Sequence, residues 1–198
     1  MKKNSIAFLV VLFVIYFLTA LYYNYLNEMQ PETAPEVSSE ELSSCSLNEL
    51  GGDRIALTIP ATYVIDATQE TLDETAKASG YEAIVLNEDK SATYYITRAQ
   101  QQELLDNLSQ GLQAKLSDLP GKNSFKDVAS VSCNETFTDY TVVLSSSNAS
   151  YDSSMIAVPL KSYTTMYNVF RGITGESLHI SFYNKDMKQI AVLDTQVN

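Results

Sequence analysis

The strongest constraint on this chain is an apolar run near its N-terminus, IAFLVVLFVIYFLTALYY from Ile6 to Tyr23, which holds 18 residues without a charge. As a helix the run rises about 27 Å, close to the hydrocarbon thickness of a bilayer. The apolar core of a secretory leader is shorter, about 7–15 residues. Tyr22, Tyr23 and Tyr25 gather at the far end, where amphipathic rings suit the headgroup region. The expectation is one transmembrane signal anchor through residues 6–23. Secretion after cleavage is the alternative: Ala20 suits a cleavage site, and Leu18 two places earlier does not. Lys2 and Lys3 precede the run, and from Glu28 to Asp53 there are seven acids and no Lys or Arg. The positive-inside rule then leaves the N-terminus in the cytoplasm and puts everything after the anchor outside.

Residues 1–26 are therefore read as a cytoplasmic tip and anchor. Residues 27–50 read as a stalk, because Pro31, Pro35, repeated Glu and Ser, and few apolar side chains favour an extended chain. Residues 51–198 remain for an extracytoplasmic α+β domain. Cys45 closes the stalk and Cys133 lies deep in the folded part. An extracytoplasmic position permits a disulfide between them, which would close a long loop and contribute up to about 4–5 kcal/mol. Two independent thiols are the alternative, because spacing does not establish pairing.

Within residues 54–197 two periodicities alternate. Ile55, Leu57 and Ile59 share one strand face, and Pro60 ends that strand. A helix-start box beginning at Asp66 leads into TQETLDETAKAS, which Gly80 terminates. Residues 81–86 and 92–96 make a hairpin around Asn87-Glu88-Asp89-Lys90. Thr97, with Gln100 three residues on, caps a long helix. Its apolar stripe is Leu104, Leu105, Leu108, Leu112, Leu116 and Leu119, and Pro120-Gly121 stops it. Residues 128–133 and 138–144 form a second hairpin. A third helical pattern runs from about 153 to 171, with Pro159 either kinking it or marking its first turn. Residues 178–183 and 190–193 form a third hairpin. The order is β-α-ββ-α-ββ-α-ββ. The economical architecture is one mostly antiparallel sheet with three helices on one face, with two small domains as the alternative.

The run GYEAIVLNEDKSATYYITRAQQQELLDNL, followed by FKDVASVSCNETFTDYTVVL, resembles a group of uncharacterised surface lipoproteins and membrane-anchored proteins of Gram-positive gut bacteria. The shared features are a "GY" strand, an Asn-containing turn and a Thr-capped helix, over residues 54 to 172. The resemblance implies an extracytoplasmic envelope protein and brings no activity with it. This chain departs from the lipoprotein members in having no lipid-accepting Cys after the leader.

Composition narrows the function further. With 13 basic and 24 acidic residues the net charge is −11, which argues against nucleic-acid binding. One histidine and two cysteines are too few for a four-ligand zinc site, and no cofactor is expected. His179 has no recognisable nucleophile signature beside it, and no GxSxG elbow is present. Cys133 sits beside Ser132, Asn134 and Glu135, a poor setting for a reactive thiolate. The paired acids Glu88-Asp89 and Asp73-Glu74 read as solvated charge. Asn107, Asn134 and Asn148 open glycosylation sequons, which matter only in a eukaryotic secretory pathway.

Nine of thirteen tyrosines lie beyond the stalk, and there is no tryptophan. Thr93, Tyr95, Thr141, His179, Ser181 and Tyr183 are expected to line an exposed sheet face suited to protein or carbohydrate contact. The function read from the sequence is a membrane-anchored binding or interaction module of the cell envelope. An envelope hydrolase with an unrecognised site, or an accessory subunit of a membrane complex, are the alternatives.

Overall fold

The computed structural model describes residues 45–121, 125–150 and 154–197. The expected anchor at residues 6–23 and the stalk before Cys45 lie outside the described residues. Among the described residues no helix is long and apolar enough to cross a membrane. The described residues are α+β, with three α-helices and two four-stranded sheets among them. The expected single sheet is corrected accordingly: the described residues form two compact units, each with its own sheet. Among the described residues the first unit comprises residues 45–107 together with Val169–Thr174. The second comprises Leu108–Asn168 and Gly175 onward.

The first sheet contains β1 (Ser46–Gly51), β2 (Arg54–Ile59), β3 (Ala83–Leu86) and β4 (Ala92–Thr97) in the order β1-β2-β4-β3, all antiparallel. Strand β1 is an addition to the expected order, and it begins inside the segment read as stalk. Ile55, Leu57 and Ile59 are fully buried, as their alternation demands. Helix α1 (Gln69–Ser79) packs Leu72 and Ala76 against Ile84 and Ala92, with Tyr81 and Tyr94 closing the cluster. Its cap is Thr68 rather than Asp66. The Thr68 hydroxyl accepts from the Thr71 amide, the Thr71 hydroxyl accepts from the Thr68 amide, and Gly80 ends the helix in the left-handed conformation.

Helix α2 (Arg98–Ser117) begins with the expected box: the Gln100 amide donates to Thr97 Oγ1 at 3.2 Å and the Thr97 amide to Gln100 Oε1 at 2.9 Å. Leu105, Leu108, Leu112, Leu116 and Leu119 are buried along one stripe, with Leu104 beside them half-buried.

The second sheet runs β5 (Val128–Cys133), β6 (Asp139–Leu144), β7 (Glu176–Tyr183), β8 (Gln189–Val197) in that spatial order. The outer pairs are antiparallel, but β6 and β7 are parallel. The intervening helix α3 (Ala157–Arg171) is long enough to return the chain to the starting end of β6, the usual requirement for a parallel pair. Pro159 falls in its first turn, where a missing N–H costs nothing. Tyr140, Val142, Leu144, Leu178 and Ile180 are buried on the face that meets α3. There Thr164 Oγ1 donates to the Phe137 carbonyl at 2.5 Å, and the Tyr140 hydroxyl reaches the Leu160 carbonyl at 3.4 Å.

Three hairpin turns share one chemistry. Asn87, Asn134 and Asn184 each open a turn whose fourth residue, Lys90, Phe137 or Met187, has positive φ and donates its amide back to the asparagine carbonyl. In the second and third turns the asparagine Oδ1 also accepts two downstream amides, at 2.9–3.2 Å. In the first turn Asp89 does that work for Ser91. Side-chain oxygens thus replace glycine as the device that closes the loop.

Candidate functional site

The six residues expected on one exposed face divide between the two sheets. Thr93 and Tyr95 lie on β4, opposite Thr58 and Ala56. Thr93 is occupied structurally, with its Oγ1 3.1 Å from that of Thr58 and 3.0 Å from Asn87 Nδ2. Tyr95 is half-buried. Thr141, His179, Ser181 and Tyr183 do come together on the second sheet. Register places Thr141 beside Ser181 and Val143 beside Tyr183. Because Tyr140, Val142, Leu178, Ile180 and Phe182 turn to the buried side, these four share the opposite face.

The register across β7 also puts His179 between Asp139 on β6 and Asp194 on β8. His179 Nδ1 lies 2.6 Å from Asp194 Oδ1, and Nε2 lies 3.0 Å from Ser181 Oγ. Asp139 is turned away to accept from Asn134 Nδ2 at 2.9 Å. The result is a hydroxyl–imidazole–carboxylate line on a sheet face. Its carboxylate end is open, with the Asp194 side chain 74% exposed, while Ser181 is buried at 9%. Asp194 was not among the expected site residues. Nothing local in the sequence marks it, because its meeting with His179 depends on the β7–β8 register.

Chemically the line orders a histidine and holds its tautomer, as an acid does in a Ser–His–Asp triad. A nucleophilic role needs more: an approachable hydroxyl and free amides at the developing oxyanion. Strand β7 is flanked by β6 and β8, so the amides around Ser181 are committed to sheet ladders. The arrangement is a fixed polar line, with Tyr183 on the same face of the strand.

Cys45 and Cys133, held open above as a disulfide pair, are each a free thiol. Cys45 is buried, and its Sγ donates to the Val169 carbonyl at 3.5 Å. Burial pushes its pKa up to about 11, and burial also raises that of Cys133. Both thiols are thereby kept from the reactive thiolate form. Among the described residues no three His, Cys, Asp or Glu side chains converge on a metal position. The ion pairs Arg54–Glu82 and Arg98–Glu49 are exposed and contribute little. Compared with known protein families, curated proteins and solved structures, the chain matches none.

Proposed function

We propose that this protein is a membrane-anchored, extracytoplasmic binding or interaction module whose contact surface is the open face of the second sheet. The observation that carries the compartment is the charge-free run from Ile6 to Tyr23, followed by acids alone as far as Asp53. The ordered line Asp194–His179–Ser181, with Thr141 and Tyr183 beside it, supports the choice of surface. The Thr141 hydroxyl, the His179 imidazole and the Tyr183 phenol, each half-buried on one face, suit a protein or carbohydrate ligand. Protease added to intact cells is expected to remove a C-terminal tag while leaving the N-terminus protected. A tag that survives until the cells are lysed overturns the reading.

A second reading, an envelope hydrolase, is favoured by one observation, the triad-like order of Ser181, His179 and Asp194. Its test is covalent labelling by a fluorophosphonate, lost in both Ser181→Ala and His179→Ala. The engaged amides and buried hydroxyl lead us to expect no labelling of the wild-type chain.

A further inference from the structure

Exposed sheet edges invite pairing with another chain, and among the described residues three of the four edges are defended. The edge of β3 is closed by a side chain: Gln69 Nε2 donates to the Ile84 carbonyl at 2.8 Å, and Gln69 Oε1 accepts the Leu86 amide at 2.9 Å. Strand β1 changes register between Glu49 and Gly51, and β5 between Val128 and Ser130, so neither offers a continuous template. The edge of β8 is different. From Ala191 to Val197 it pairs with β7 without interruption. It carries no Lys and no Pro, its one charge is Asp194, and Val192 and Leu193 are 45% and 38% exposed.

We propose that β8 is a homodimerisation edge, where a second copy of this chain adds its own β8 antiparallel to continue the sheet across a twofold axis at Leu193. One register avoids the faults of its neighbours. With Leu193 on the axis, Ala191 faces Thr195 of the other copy and Val192 faces its Asp194. The extra residue that breaks the β7–β8 register, between Gln189 and Ala191, falls outside this segment. Centring on Val192 instead would bring Ile190 from that irregular stretch opposite Asp194. Centring on Asp194 would set two carboxylates face to face, which is destabilising. The Leu193 register leaves each Asp194 offset from its copy and bonded to its own His179. Main-chain hydrogen bonds supply the attraction, and Leu193 and Val192 from both copies lose water. The net charge of −11 per chain opposes association at long range, so salt strengthens it. The inference does not depend on the membrane anchor.

The test is oxidative cross-linking of the full-length chain. In Leu193→Cys the two new thiols face each other across the axis, within the roughly 4.5–5.5 Å Cβ separation of directly opposed residues. In Gln196→Cys the equivalent thiols stand roughly 20 Å apart along the strands. Both positions are exposed, so neither substitution threatens the fold. The wild-type chain, with Cys45 and Cys133, gives the background. Leu193→Cys is expected to gain a reducible dimer that increases with salt, while Gln196→Cys stays at background. No dimer beyond background from Leu193→Cys, or equal dimer from Gln196→Cys, overturns the proposal.

Discussion

At Gly172 even a small substitution meets two obstacles. Its φ is +73°, and an added Cβ would lie 2.4 Å from Leu47 Cβ. Alanine there must accept both a left-handed backbone and a clash with β1. Gly80 has nearly the same φ of +69° but nothing within 4 Å of an added Cβ. We expect Gly172→Ala to destabilise by about 2–4 kcal/mol and Gly80→Ala by about 1 kcal/mol in denaturant titration. Equal effects would show that the contact with Leu47 carries no weight. The sequence marked Gly80 as a helix terminator, because the preceding helix pattern explains it. Gly172 follows the third helical pattern, and its contact is not legible there, since its neighbour Leu47 is remote in sequence and lay in the presumed stalk.

Elements defined by local chemistry were legible. The Thr97–Gln100 box and the leucine stripe of α2 follow from residues within a few positions of one another, whereas Pro159, open between a kink and a first turn, is placed in the first turn only by the structure. Elements defined by distant partners were not. Strand β1 (Ser46–Gly51) has the polar, acidic composition of its flank and is a strand because β2 pairs with it. The parallel β6–β7 pair depends on a crossover that no local pattern encodes, and the Asp194–His179 contact depends on the register of β8 against β7. Edge protection by Gln69 belongs to this scale too. Gln69→Leu removes both hydrogen bonds to β3 and is expected to cost about 1–2 kcal/mol. It also opens the β3 edge, so aggregation on partial denaturation should become concentration-dependent. A variant as stable and as soluble as wild type would count against the clamp.

At the scale of the whole molecule two half-buried phenols bear on alkaline stability. Tyr81 and Tyr94 meet edge to face at 6.3 Å, and burial pushes both pKa values from 10.0 to about 12. A pKa raised on folding gives stability that is complete below pH 10 and is lost as pH rises through about 12. The denaturation midpoint should therefore hold steady to about pH 10 and then fall, with tyrosinate absorbance lagging behind that of the unfolded chain. A midpoint unchanged at about pH 12 would exclude these rings from the alkaline response. A different consequence follows from the path of the chain, which leaves the first unit at Asn107 and supplies it again with Val169–Thr174. A fragment ending at Asn107 strips Cys45 of its carbonyl acceptor on Val169. It also takes from Gln101 Nε2 the Phe170 carbonyl it reaches at 3.0 Å, and from Leu47 its neighbour Gly172. Neither half can be excised by a single cut, so dissecting this protein calls for point substitutions or circular permutation rather than truncation.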